Sequence, residues 1–95
     1  MSFGFVAFHY PAPEHLDGFV GNCHRIADYL RAQPGFESVG VWVSSDGSAV
    51  VTNASFASEE AFQASADGAH RMGATPDGIS DLEIRPREVT FLVSR

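Results

Sequence analysis

Four histidines, His9, His15, His24 and His70, are the side chains of this chain best suited to moving protons near neutral pH. Imidazole is the one side chain whose unperturbed titration falls in that range. The four differ in their surroundings. His15 stands between Glu14 and Asp17 at what reads as the start of a helix, where a solvated surface role suffices. His24 falls just off an apolar helical stripe and reads as a rim residue. His9 sits in an otherwise apolar run, on the face shared by Phe3, Phe5 and Ala7. A buried imidazole needs a partner or a cavity, so His9 is either a satisfied strand-end residue or part of a pocket lining. His70 lies about 80° around a helix from Phe62, at the edge of its apolar side. It is either a rim residue or the base of a pocket, with Asp67 one turn earlier able to hold its ring.

Other chemistries find less support. No two histidines have the spacing of a metal site, and the lone Cys23 cannot build a cysteine cage. Cys23 lies on an apolar stripe and reads as core. Ser55 and Ser58 lack the G-x-S-x-G elbow of a nucleophilic serine. Gly18 and Gly21 belong to no dinucleotide-binding loop. All six basic residues are Arg, which excludes a lysine Schiff base and a phosphate-loop lysine. The net charge of −6 lacks the basic footprint of a nucleic-acid binder. No apolar stretch approaches the roughly 18 residues of a membrane span, and no basic leader precedes the first apolar run, so a cytoplasmic protein is expected. Three further polar or aromatic residues have open roles. Tyr10 ends the first apolar run, where it can line a pocket mouth. Asn53 either orients a substrate carbonyl or bonds to backbone. The sole Trp, Trp42, fits core or dimer packing.

The elements that must position these residues follow from the hydrophobic pattern. The chain of 95 residues is short enough for one domain over 1–95, and its 44% apolar content with eight Phe supports a core. Residues 2–10 are apolar on both faces, which predicts a strand buried on both sides. Residues 13–33 carry Leu16, Phe19, Val20, Cys23, Ile26, Ala27 and Leu30 at helical steps, with Pro13 suited to the first turn and Pro34-Gly35 as a stop. Alternating Val39, Val41 and Val43, the turn signal Asp46-Gly47 and a return strand over about 48–56 predict a hairpin. Ser58 caps a second helix that carries Phe62, Ala66 and Ala69. A last strand spans about 82–94, interrupted by Pro86.

The order strand, helix, strand, strand, helix, strand is the ferredoxin-like βαββαβ plan of the α+β class. Two helices cover one face of a four-stranded antiparallel sheet and leave the other bare. Yet the first strand is apolar on both faces, and the last carries Phe91 on one and Leu92 on the other. Such a patch is rare on soluble monomers. A second sheet covers it, so the pattern predicts a homodimer packed sheet to sheet.

Three segments carry a resemblance to a known family. Gln33-Pro34-Gly35-Phe36-Glu37 matches a Pro-Gly step after the first helix. Asn53 to Phe62, NASFASEEAF, resembles a "Trp-x-Ser/Asp-x-Glu-Ala-Phe" lead into the second helix. Ser65 to His70, SADGAH, looks like a His-bearing helix end. Together they are similar to the antibiotic biosynthesis monooxygenase-like proteins of the dimeric α+β barrel superfamily. Members of that family include cofactor-independent oxygenases of aromatic polyketides, quinol oxygenases and haem-degrading enzymes. The chain departs from the pattern at Phe56, where the family has Trp, and at Phe62, where the polyketide oxygenases have Tyr. It also lacks the Asn and Trp of the haem-degrading branch, whose positions fall near Phe8 or His9 and near Ser65.

The resemblance implies a small monooxygenase that needs no cofactor and acts on a flat aromatic or quinol-type molecule. His70 and His9 are then the candidate bases. Phe5, Phe8, Tyr10, Phe19, Asn53, Phe56 and Phe62 are the candidate substrate contacts, in a pocket between sheet and helices. Two other readings use the same dimer: a non-catalytic small-ligand-binding or stress-related domain, and a haem-binding protein with His70 as ligand.

Overall fold

A computed structural model describes residues 1–72 and 82–95. Strand β1 (Phe3–His9) leads through a 3-10 turn (Pro13–His15) to helix α1 (Leu16–Arg31). Strands β2 (Phe36–Val43) and β3 (Val50–Phe56) form the hairpin, followed by helix α2 (Glu59–Arg71) and strand β4 (Glu88–Val93). The strand order is β2-β3-β1-β4, with every pairing antiparallel. This is the ferredoxin-like α+β arrangement that the hydrophobic pattern predicts. The most apolar strand, β1, sits inside the sheet, paired on both edges.

Local chemistry accounts for the element ends. Pro13 starts a 3-10 turn rather than the helix itself, and α1 begins only after His15 leaves helical geometry at φ −106°, ψ 0°. Gly35 adopts φ 80°, a conformation that L side chains rarely take, and a Cβ there would stand 2.7 Å from Ala61 Cβ on α2. Glycine is therefore required twice over at the α1–β2 junction. Ser58 Oγ accepts a hydrogen bond from Ala61 N at 3.1 Å and caps α2, with Glu59 and Glu60 in its first turn. In the hairpin turn Gly47 takes φ 76°, and Asp46 Oδ1 accepts from Ser48 N, Ser48 Oγ and Ser44 Oγ. The Ser48 and Ser44 hydrogen bonds hold the Asp46 carboxyl down to a pKa of about 2.

The last strand is shorter than the sequence pattern suggests. Pairing with β1 begins at Glu88, because Pro86 has no N–H to donate. The residues before it run beside Tyr10–Ala12 as a separate extended crossing. Glu83 bridges Pro11, Ala12 N donates to Leu82 O at 2.9 Å, and Ile84 N donates to Tyr10 O at 2.8 Å. This crossing brings Glu83 to the end of β1.

The strand register sorts the side chains. Phe3, Phe5, Ala7 and His9 face the helices, level with Phe56, Ala54, Thr52 and Val50 on β3 and with Val89, Phe91 and Val93 on β4. Leu30, Ala54, Phe56, Phe62 and Ala69 form the core beneath the helices. Val6, Phe8, Trp42 and Leu92 face the other way. Among them Trp42 is 64% exposed, Leu92 47% and Phe8 41%, so the sheet carries a bare apolar face. Among the described residues no helix is long and apolar enough to cross a membrane.

Candidate functional site

A cavity of about 480 Å³ lies between the helix-facing side of the sheet and the two helices. Its floor is built by β1 through Phe5, Ala7 and His9 and by β3 through Thr52 and Phe56. Its roof comes from α1 through Phe19, Cys23 and Ile26 and from α2 through Phe62, Ala66 and Ala69. The alternation of β1 and the helical stripes of α1 and α2 together dictate this lining.

The two ends of the cavity differ. Around Phe62 the rings of Phe3, Phe5, Phe91 and Phe56 stand with centroids at 5.1, 6.0, 5.9 and 6.1 Å. These tilted and edge-on contacts make a wall suited to a flat apolar molecule. The other end is polar. It lies four residues further along β1, a distance of about 13 Å at the usual strand rise. There His9 Nε2 is 3.0 Å from Thr52 Oγ1, and His9 Nδ1 is 3.5 Å from Glu83 Oε1. Arg87 Nη2 donates to Glu83 Oε2 at 2.5 Å, and Tyr10 N reaches Glu83 Oε1 at 3.4 Å. The Glu83 side chain is fully buried and that of Arg87 is 7% exposed. The ring of Phe19 lies 5.2 Å from that of His9, centroid to centroid.

The electrostatics follow from this burial. Loss of water, and then the Arg87 guanidinium, push the His9 pKa below its ordinary value; Glu83 opposes them without winning. The imidazole is therefore neutral at pH 7 and available to accept a proton. Burial pushes the Cys23 thiol up to about 11, so it is not a nucleophile at neutral pH. Among the described residues no group of three or more His, Cys, Asp or Glu is arranged to hold a metal ion.

The sequence-derived candidates divide. Phe5, His9, Phe19, Phe56 and Phe62 line the cavity together. His70 also borders it, with Asn22, Gln63 and Asp67, but as an exposed residue at the mouth. No hydrogen bond or ion pair joins His70 to Asp67, although both are described. Phe8 is not in the cavity. Strand alternation turns it to the bare face, opposite the His9 side. Tyr10 is not in it either. Its hydroxyl donates to the Glu88 carboxylate, Arg85 stacks 3.7 Å over its ring, and it lines a separate shallow hollow with Ser48 and Ile84. Asn53 borders the cavity, yet its register with Gly40 places its side chain toward the bare face. A Cβ on Gly40 would lie 2.6 Å from Trp42 Nε1 and 3.1 Å from Asn53 Oδ1, so all three share that face.

Sequence patterning does not mark Glu83 or Arg87 as site residues. Their only signal is an acid and a base four residues apart around Pro86, a spacing common on solvated surfaces. What gives them meaning is the crossing of residues 82–84 beside Tyr10–Ala12, a tertiary contact.

These features define a ferredoxin-like α+β domain with a largely apolar cavity that ends in a buried histidine. The sequence profile of the family described as antibiotic biosynthesis monooxygenase matches residues 2–73, and the chain belongs to that family. Several solved structures share the fold. The Mycobacterium tuberculosis protein Rv0793 is 21% identical with a TM-score of 0.86, covering 100% of this chain and 96% of its own. The cofactor-independent oxygenase SnoaB of Streptomyces nogalater is 20% identical with a TM-score of 0.70, covering 99% and 93%. The monooxygenase ActVA-Orf6 of Streptomyces coelicolor, solved in complex with nanaomycin D, is 21% identical with a TM-score of 0.68, covering 99% and 88%. No curated protein matches the sequence.

Proposed function

We propose that this protein is a small cofactor-independent monooxygenase that oxidises a flat aromatic phenol, enol or hydroquinone. The observation that carries the proposal is the cavity of about 480 Å³ with an aromatic wall at one end and a buried neutral His9 at the other. That volume lies within the ~300–1,000 Å³ usual for small-molecule sites. The fold shared with SnoaB and ActVA-Orf6 supports the same reaction class.

For an anthrone-type substrate the chemistry balances without a cofactor. His9 takes a proton, and the substrate anion passes one electron to dioxygen. The two radicals join as a peroxide anion, which recovers the proton from the imidazolium. The peroxide then loses water, its O–O bond breaking as the remaining C–H proton leaves, and a carbonyl remains. One substrate and one O₂ give one quinone and one H₂O. The protein excludes water, holds the ring between Phe5, Phe19, Phe56 and Phe62, and places the base. Arg87 offsets the charge of the substrate anion. His70, at the mouth, serves as a second proton-transfer group for a substituent that projects from the cavity.

The working unit in this proposal is a homodimer formed through the bare face of the sheet. Phe8, Trp42 and Leu92 supply apolar area that a second copy covers, sheet against sheet, at a spacing of about 10 Å.

Oxygen uptake tests the function. The protein is incubated with a panel of anthrones and hydroquinones, and O₂ consumption and product are followed. Consumption of one O₂ per substrate, with a quinone product and no hydrogen peroxide, is expected with at least one panel member. No consumption across the panel, with tight binding of the same compounds, overturns the reaction and leaves a ligand-binding domain.

A further inference from the structure

We infer that Thr52, His9 and Glu83 form a proton relay at the polar end of the cavity. In it the Thr52 hydroxyl meets the substrate's O–H and Glu83 is the positioning residue for His9. The substrate class, a phenol or enol, rests on the monooxygenase reading; the relay itself rests on geometry alone.

The three groups come from three places in the chain: Thr52 from the middle of β3, His9 from the end of β1, and Glu83 from the crossing ahead of β4. Ala7 and Thr52 are register partners on the helix-facing side, and His9 pairs with Val50, so the imidazole and the hydroxyl reach each other along one face. Nε2 and Thr52 Oγ1 are 3.0 Å apart, a formed hydrogen bond. Nδ1 is buried and has no hydrogen-bond partner, and the nearest carboxylate oxygen, Glu83 Oε1, stands 3.5 Å away.

That geometry selects one tautomer. A lone pair on Nδ1 would face a buried carboxylate and be repelled, whereas an N–H there is attracted to it. The proton therefore sits on Nδ1, and Nε2 accepts from the Thr52 hydroxyl. Glu83 is itself held by Arg87, whose guanidinium fixes the other carboxylate oxygen at 2.5 Å. Of the α1 residues that line the cavity the titratable one is Cys23, which stays a neutral thiol at working pH, and from α2 Asp67 and His70 border the cavity at its mouth.

When a substrate hydroxyl reaches Thr52, two protons move in concert. The substrate O–H breaks as Oγ1 gains that proton, and the original Oγ1–H breaks as Nε2 gains its proton. Thr52 is regenerated, the substrate becomes an anion, and His9 becomes an imidazolium. Glu83 then faces a full positive charge, and its distance of 3.5 Å closes toward the usual ~3.0 Å, as catalytic hydrogen bonds do on substrate binding. No oxidant enters this step.

The test has a substrate-free arm and a kinetic arm. In ¹⁵N-histidine-labelled wild type, NMR should show His9 as the Nδ1–H tautomer, with Nε2 shifted by an accepted hydrogen bond. Thr52→Val should move the Nε2 resonance to that of an unbonded nitrogen. Glu83→Gln combined with Arg87→Met removes both buried charges together, so the fold is not left with one of them unpaired, and should leave His9 a mixture of tautomers. In oxygen uptake with dithranol, Thr52→Val should lower kcat about 10²-fold with KM little changed, and Thr52→Ser should restore most of it. An Nε2–H tautomer in wild type, or an unchanged tautomer in the double variant, overturns the relay. So does a Thr52→Val protein as fast as wild type. If wild type consumes no oxygen, the monooxygenase reading fails and the NMR arm alone decides the relay.

Discussion

Gly68 on α2 lies against the ring of Tyr29 on α1 with no room for a methyl group. A Cβ at Gly68 would fall well inside van der Waals contact of the Tyr29 hydroxyl and ring, 2.9 Å from its Cε2. The two helices that roof the cavity meet through this missing side chain. Gly68→Ala should therefore destabilise the protein by about 1–3 kcal/mol, the usual cost of overpacking. In a domain of this size that lowers Tm by about 5 °C or more. Adding Tyr29→Ala to Gly68→Ala should cost less than the sum of the two single changes, because the clash is removed once. Additive losses in thermal melts would show that the two residues do not constrain each other.

Stability should fall as the pH drops below about 6.5. The folded state holds the His9 pKa below its ordinary value, so between the two values the unfolded chain binds a proton that the folded chain refuses. The stability is complete above the unfolded pKa of about 6.5 and declines as pH falls beneath it. Glu and Asp begin to titrate only lower, near ~4. Urea unfolding between pH 7.5 and 5 measures this. His9→Phe should flatten that slope, and an identical slope in the variant would assign it to another group.

Cys23 should resist alkylation in the folded protein. With its pKa pushed up to about 11, its thiolate fraction at pH 8 is about 10²-fold below that of a free thiol. Iodoacetamide labelling followed by mass spectrometry should be slow when folded and fast in urea. A cavity ligand should slow it further, since Cys23 borders the cavity. Equal rates with and without urea would contradict the burial.

In oxygen uptake, His9→Gln should lower kcat about 10²-fold, as expected for loss of a general base. His70→Ala, at the exposed mouth, should also lower kcat, but by less than His9→Gln does. His15→Ala, in the 3-10 turn away from the cavity, should change nothing. A His70→Ala loss as large as that of His9→Gln would move the base to the mouth.

Sedimentation should give twice the 10.2 kDa chain mass at micromolar concentration. Trp42→Glu places a charge on the bare face and should return the monomer, since Trp42 is 64% exposed and supports no core contact that the charge would break. A stable wild-type monomer would remove the dimer from the proposal.

Periodicity in the sequence was enough to determine the element order, the set Phe3, Phe5, Ala7 and His9 that shares one face of β1, and the presence of a bare apolar sheet face. Alternation and helical stripes are local, and burial follows them directly. Alternation puts Phe8 opposite His9, but β1 is apolar on both faces, so the packing of the helices decides which face lines the cavity. Asn53 was a matter of register: one residue of strand phase separates a cavity contact from a neighbour of Trp42. Tyr10 lies just past the end of β1, where strand alternation no longer governs direction, and Arg85 and Glu88 claim its side chain. The tertiary structure alone decided the polar end of the site. Glu83 and Arg87 look like a solvated pair in sequence. They become a buried charge cluster only because Pro86 ends the pairing of β4 early and lets the residues before it cross the end of β1. Contacts between segments so far apart in the chain have no local pattern. Their energy comes from desolvation and charge at one point in space, which no periodicity encodes.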